Sequence, residues 1–344
     1  MSVIEKSLKE QWNELLAQQP KLRIRNAAEI LGVTELELLV TTDYITPLQN
    51  NYKEILTAVG QLGTVMALTR NDSAVHEVKG EYDKPDFNPG PVGLFLGELI
   101  DLRIFFSTWK YAFAANEDGR KSLQFFDKYG RAVHKIYITE KSDENAYNQL
   151  VEQYRTYITG DYVIEPLPMP ETFKNVSEID VPAFKNDWLN MKDTHEFFGM
   201  LKKHGISRTD ALSNAPECNY ATQVGPETVK AMLEEASETK TPIMCFVGNP
   251  GMIQIYSGTV SRIVDMEEWI NVLDPTFNLH LKKKDIAQTW VVRKPSEDGI
   301  VTSIEVFDAA GELIVQFFGK RKPGIPELTE WRSIVANVES SFKI

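Results

Sequence analysis

From residue 8 to about residue 40 the apolar positions fall three and four apart. Trp12, Leu15 and Leu16 run towards Gln19 in a first helix, and Ala27, Ile30 and Leu31 make a second. Such spacing places side chains on one helical face. Asn26 is the expected cap of the second helix and Gly32 its stop. Thr34 and Glu37 stand three apart and predict a capping box for a third, short helix. From about residue 60 the pattern shifts to short strand-like runs: TVMALTR, AVHEVKG, VGLFLGELIDLRIFF, SLQFF and AVHKIYI. DKPDFNPGP reads as a turn-rich loop and residues 127–130 (DKYG) as a hairpin turn. Helical spacing returns around Tyr147, Leu150, Val151 and Tyr154, and PLPMPETFKN, with its prolines, reads as a linker.

Beyond the linker the same order recurs. Trp188 answers Trp12, and HGISRTDAL answers LGVTELELL, with Gly205 for Gly32 and Ser207 for Thr34. Asn249 and Gly258 answer Asn71 and Gly80 at one common offset. Trp290 answers Trp109 and FDAAG answers FDKYG at an offset three residues longer. Matches that keep their order while the offset drifts by a few residues predict an internal duplication. The expected fold is α+β: two similar halves, each a helical cap on a mostly antiparallel β-sheet. The expected boundaries are an N-terminal repeat over 1–165, a linker over 166–180 and a C-terminal repeat over 181–344. By these offsets His195 aligns with Gln19, Arg103 with His280, and His76 with Gln254. The candidate ligands are therefore not repeated.

Residues 187–205, DWLNMKDTHEFFGMLKKHG, read as one amphipathic helix with Trp188, Met191, His195 and Phe198 on a single face. A histidine on an apolar stripe is either a core residue with a hydrogen-bond partner or a ligand aimed into an apolar pocket. Spacing leaves both open. His204 reads as a helix-end residue beside Gly205, His134 and His280 lie in strand-like runs, and His76 is an open candidate. Arg293 and Lys294, then Lys320, Arg321 and Lys322, cluster near aromatic strands of the second half. Such cations either pair with carboxylates of a ligand or solubilise hairpin ends.

Composition narrows the classes. The chain has 344 residues and a net charge of −12, which suits two domains and opposes binding to nucleic-acid phosphates or anionic membranes. AAEILGVTELELL resembles a DNA-binding helix-turn-helix, but Glu35 and Glu37 stand where a base reader carries Arg, Lys, Asn or Gln. A nucleic-acid partner is not expected. No apolar run reaches membrane-spanning length, the charged start MSVIEKSLKEQW lacks a signal-peptide core, and Cys218 and Cys245 match no metal or redox spacing. The expectation is a cytoplasmic protein without membrane insertion. Phosphate-cradling glycine loops, HExxH and GxSxG are absent from the sequence. Composition and spacing alone reach a duplicated α+β protein and leave open whether its cations rim an apolar pocket.

Longer strings carry more. NDSAVHE, DLRIFF, SLQFFD, DWLNMKDTHEFFGMLKKHGISR, MCFVGNPGMIQIYSG, NVLDPTFNLHL, TWVVRKPSEDG and VTSIEVFDAAGELIVQFFGKR span nearly the whole chain. In that order they resemble the bacterial cytoplasmic hemin-degrading and heme-trafficking family. The resemblance implies that His195 is the axial ligand to heme iron. It implies that Arg103 faces the other side of the iron, often through water, with Phe105 packed nearby. Arg208, Lys294, Gln316 and Arg321 fall on positions around the heme edge and propionates. His76 falls on a residue of an additional heme site in the first half of some relatives. Phe318 stands where the family usually has tyrosine, so a hydroxyl is missing there. The chemistry is consistent: heme is a flat apolar ring with two carboxylates, needing an apolar slot, an imidazole and rim cations. With Arg103 in the first half and His195 in the second, the expected pocket lies near the contact between the halves.

Three functions follow as expectations. The first is an enzyme that accepts imported heme and opens it to free iron, with Arg103 as catalytic donor and an external reductant. The second is a carrier or storage protein that delivers intact heme to another enzyme. A heme uptake transporter, a reductase or a heme oxygenase is the expected protein partner of either. The third, a DNA-binding regulator, rests on the Thr34 turn alone.

Overall fold

The structure is a computed structural model that describes residues 6–87, 90–157, 162–322 and 324–344. The first half runs α1 (Leu8–Gln18), α2 (Ile24–Leu31), α3 (Glu35–Leu39), β1 (Ile45–Leu48), α4 (Tyr52–Val59), β2 (Gly63–Arg70), β3 (Ala74–Gly80), β4 (Pro85–Asp86), β5 (Gly93–Leu96), β6 (Asp101–Ile104), β7 (Trp109–Glu117), β8 (Arg120–Asp127), β9 (Ala132–Ser142) and α5 (Glu144–Tyr154). The second half runs α6 (Val181–Leu189), α7 (Glu196–His204), α8 (Arg208–Ser213), β10 (Ala221–Val224), α9 (Glu227–Thr239), β11 (Ile243–Asn249), β12 (Met252–Gly258), β13 (Ile263–Asp265), β14 (Trp269–Leu273), β15 (Phe277–Lys282), β16 (Gln288–Ser296), β17 (Gly299–Phe307), β18 (Leu313–Gly319) and α10 (Thr329–Phe342). Helices and strands follow one another in the same order in both halves. The duplication read from the sequence is thus present element by element.

The chain forms two compact units. The first comprises Met1–Thr69, Lys79–Pro168 and Asn249–Ile253, and the second comprises Arg70–Val78, Met169–Gly248 and Gln254–Ile344. In the first unit, strands β1, β7, β8, β9 and β2 pair in that order, all antiparallel, and β4, β5 and β6 form a small antiparallel meander. Trp12, Ala27, Ala28 and Leu38 hold α1, α2 and α3 together. Leu36 and Leu39 press α3 onto Phe113 of β7 and Phe126 of β8. Thr34 and Glu37 make the expected capping box, and Gly32 ends α2 with φ 69. The helix begins earlier than expected: its cap is Arg23, and Asn26 lies inside it. Leu36 N–H donates to Gly130 O at 3.1 Å, which ties α3 to the β8–β9 turn.

In the second unit β10, β16, β17, β18 and β11 pair antiparallel in that order, as do β3, β15, β14 and β13. The buried residues of α9 (Val229, Met232, Leu233, Ala236) and of α10 (Trp331, Ile334, Val335, Val338) recur three and four apart, as a helix lying on a sheet requires. Trp331 Nε1 donates to Thr302 O at 3.0 Å, and a Cβ on Gly319 would stand 2.6 Å from the Trp331 Cγ. That close approach needs glycine. On the other side, α6, α7 and α8 bury Phe184, Trp188, Met191, Phe197, Met200 and Leu201 with Trp290 and Val292 of β16. Each such side chain contributes roughly 1.5–3 kcal/mol on burial.

The expected single helix over residues 187–205 is two helices. Asn190 ends α6, its N–H donating back to Asn186 O and its side chain donating to the same carbonyl at 2.7 Å. The polar run Asn190, Lys192, Asp193 and Thr194 then turns the chain before Glu196 opens α7. Asp187 Oδ2 clasps the pair, accepting from Lys203 Nζ at 2.6 Å and from His204 Nε2 at 2.7 Å. Trp188 and Met191 are buried, whereas Phe198 is 71% exposed. They share no face. Measured back from the left-handed glycines, His195 corresponds to the Leu22–Arg23 turn rather than to Gln19, because it caps α7 as Arg23 caps α2.

Candidate functional site

Strand register places one set of side chains together in the second unit. Glu305 of β17 lies opposite Gln316 of β18 and Trp290 of β16, and Ser303 lies opposite Phe318 and Val292. Phe246 and Met244 of β11 lie opposite Gln316 and Phe318. Directly opposed residues of an antiparallel pair share a face. Helices α6–α8 cover the β16 side of this face. Towards β18 and β11 it stays half-buried at Met244, Phe246, Gln316 and Phe318. Phe246 and Phe318 meet edge to face, with centroids 5.1 Å apart. The result is an apolar, partly open floor.

His195 stands at the first turn of α7 with its side chain 90% exposed. Asp193 Oδ1 accepts from His195 N–H at 2.8 Å and bonds the ring Nδ1 at 2.6 Å. These contacts, the backbone one first, hold the Asp193 carboxyl below its usual range, with a further contribution from the Arg321 charge. An ionised carboxylate only accepts, so Nδ1 carries a hydrogen, and in the neutral ring the lone pair is on Nε2. Arg321 Nη2 donates to Asp298 at 3.0 Å, while its buried Nε has no partner.

Three residues expected at the ligand's rim converge instead on one acid. Glu305 is fully buried and accepts from Arg208 Nε and Nη2 at 2.8 and 2.9 Å, from Lys294 Nζ at 2.6 Å and from Gln316 Nε2 at 3.0 Å. Burial alone would raise this carboxyl, but the Arg208 and Lys294 charges carry it well below its usual range. Burial lowers Lys294 to about 8, against the pull of Glu305. Phe197 closes the cluster from above, with Lys294 Nζ 4.4 Å and Arg208 5.2 Å from its ring centroid. Lys294 therefore lies beneath α7 and not at an open rim.

The remaining candidates fall elsewhere. Arg103 is on β6 of the first unit, where its Nη1 donates to the Asp101 carboxylate and to Leu102 O. Phe105 follows it, half-buried, at the start of a 3₁₀ turn. His76 is on β3 in the second unit and has no exposed surface; its Nε2 donates to Cys245 O at 3.2 Å and its ring packs on Phe277. Burial lowers it to about 3, so it is neutral. In this placement no edge of the ring is offered to a ligand.

Sequence reasoning assigned no role to Glu305, Asp193 or Phe246. A glutamate between Ile304 and Val306 in a strand is a usable signal, since such an acid needs cationic partners. Nothing in spacing says that the partner is Arg208. Chemically, the second unit presents an exposed imidazole, an aromatic floor and, in Arg321, a guanidinium paired with Asp298. These suit a flat apolar ligand bearing a metal and acidic groups.

The haemin-degrading HemS/ChuX domain model matches the chain twice, over residues 32–154 and 205–338. This chain belongs to that family. It is 37% identical to the hemin transport protein HemS of Yersinia enterocolitica over 97% of this chain and 98% of that one. Among solved structures, holo-PhuS, a heme-binding protein from Pseudomonas aeruginosa, is 42% identical with a TM-score of 0.93, covering 96% of this chain and 98% of its own. ChuS, an Escherichia coli heme oxygenase, is 33% identical with a TM-score of 0.87, covering 97% of this chain and 99% of its own. PhuS and ChuS thus share this fold along almost their full length.

Proposed function

We propose that this protein binds heme with His195 as the axial ligand and opens the ring to release iron, drawing electrons from an external donor. The observation that carries the reading is the exposed His195 imidazole, its Nε2 free and its Nδ1 tied to Asp193, in the unit whose sheet leaves Phe246 and Phe318 half-open. A neutral imidazole is a good ligand for iron. Arg321, which keeps some exposed surface beside Asp298, is the proposed rim cation for a propionate. Arg208, Lys294 and Gln316 act through the buried Glu305, which all three bond. Phe318 supplies ring area without a hydroxyl. Arg103 is the proposed catalytic donor: its guanidinium only donates hydrogen bonds and would stabilise negative charge that develops during ring opening. Phe105 is proposed to pack against the ring, and any second heme at His76 requires β3 to release its histidine. The proposed setting is the cytoplasm, consistent with a net charge of −12 and with no described helix long and apolar enough to cross a membrane.

A second reading, delivery of intact heme, is favoured by the name of the curated relative, a hemin transport protein, and needs no electron supply. The two are separated by mixing the heme complex with a reductant and dioxygen in the presence of catalase. A defined open-chain tetrapyrrole and released iron support degradation. Loss of heme only through free peroxide, together with rapid transfer of intact heme to a partner oxygenase, supports delivery. A transporter, reductase or oxygenase partner belongs to whichever reading that experiment favours.

A further inference from the structure

We infer that Asp193 is a positioning residue for His195: it fixes the imidazole with Nδ1–H inward and Nε2 outward, and strengthens Nε2 as a donor to a metal. The inference rests on the heme reading above for its consequences, but its geometry stands in the protein alone. A single oxygen, Asp193 Oδ1, holds both the backbone N–H of His195 at 2.8 Å and the ring Nδ1 at 2.6 Å. The ring is therefore restrained at its root and at its inner nitrogen at once, although its side chain is 90% exposed. The connection between α6 and α7 supports this. Met191 plugs into the core, and Lys192 N–H donates to Glu196 Oε2 at 3.0 Å, so the turn is pinned on both sides of Asp193.

An Asx turn alone would explain the backbone bond. The ring bond goes further. At 2.6 Å with an anionic acceptor it is charge-assisted, and it removes the choice of tautomer that a free surface histidine has. A ligating histidine whose other nitrogen donates to a carboxylate is oriented and more basic, and loss of that partner typically costs 10–100-fold in metal affinity. A more basic axial ligand stabilises oxidised iron over reduced iron. Asp193 thus acts on both capture of the heme and how readily its iron is reduced.

Two measurements test this. In the ligand-free protein at pH 8, nitrogen NMR of His195 should show the hydrogen on Nδ1, and Asp193→Ala should change that pattern. In the heme complex, Asp193→Asn keeps an acceptor for the backbone N–H but removes the charge. Its affinity should fall about 10-fold and the iron's reduction potential should rise, while the urea unfolding midpoint stays that of the parent. A parental tautomer in Asp193→Ala, or a parental potential and affinity in Asp193→Asn, overturns the inference. If His195→Ala leaves the heme spectrum unchanged, the heme reading itself has failed, and the ligand-free NMR result still decides the positioning.

Discussion

Arg208 Nε and Nη2 lie 2.8 and 2.9 Å from the two carboxylate oxygens of Glu305, a bidentate pair that joins the first residue of α8 to the middle of β17. The first half repeats the device with its charges exchanged: Glu35, the first residue of α3, pairs with Lys135 of β9, which lies opposite Gln124 of β8. In both halves a charged residue opening the third helix reaches a buried partner on the sheet. The second half adds Lys294, and so keeps two cations around one acid.

That arrangement makes Glu305 the costliest member to remove. Glu305→Ala strands Arg208 and Lys294 without their acid, and should lower stability by about 3–5 kcal/mol in urea unfolding. Lys294→Met leaves the Arg208–Glu305 pair intact and should cost less than about half as much. Equal losses would show that Lys294, and not Arg208, is the main partner of Glu305.

Acid should destabilise the fold through its buried histidines. His76 and His134 are fully buried, and burial lowers each from 6.5 to about 3. His134 sits between Thr69 Oγ1 at 2.9 Å and the Tyr82 hydroxyl at 2.5 Å. Between pH 6.5 and 3 the unfolded chain binds protons that the folded chain refuses, so stability falls as pH falls through that window. At pH 5 each site removes on the order of 2 kcal/mol relative to neutral pH. His76→Asn should reduce proton uptake on unfolding at pH 5 by about one, read from the slope of stability against pH. An unchanged slope would mean that His76 is not buried neutral.

The break between α6 and α7 separates a buried aromatic residue from an exposed one within one short stretch. Trp188 is fully buried with its Nε1 donating to Arg293 O at 3.0 Å, so Trp188→Ala should cost about 3–5 kcal/mol. Phe198 is 71% exposed, and Phe198→Ala should change stability by less than about 0.5 kcal/mol. A large stability loss in Phe198→Ala would restore the single amphipathic helix.

Arg103→Ala should retain heme binding within a few-fold and slow ring opening by about 100-fold, as expected for loss of one charged donor at a developing anion. Single-turnover absorbance under excess reductant measures it. Equal loss of affinity and rate would make Arg103 a binding residue only.

Local signals were legible where their physics is local. Thr34 with Glu37, and Gly32 and Gly205 as left-handed stops, stand where residue type and spacing put them. The order of elements was legible because it occurs twice. Three features were not. Trp188 and Met191 keep helical spacing across the end of α6 because both still enter the core, so periodicity hid the turn at Asn190. Helix α1 runs six residues past Trp12 whereas α6 ends one residue past Trp188, so a fixed offset from the tryptophans pairs His195 with Gln19. The partner of Arg208 lies far along the chain on a paired strand, where only register reveals it. The site residues themselves were reached through family resemblance, and spacing alone left His195 between core and ligand.

The most direct measurement is a heme titration of the parent and of His195→Ala, followed by the absorption spectrum and the rate of heme loss. Axial ligation by His195 predicts a shifted Soret band and an affinity at least 10-fold weaker in the variant, with the urea unfolding midpoint unchanged because the side chain is 90% exposed. The same spectrum and affinity in both proteins would contradict it.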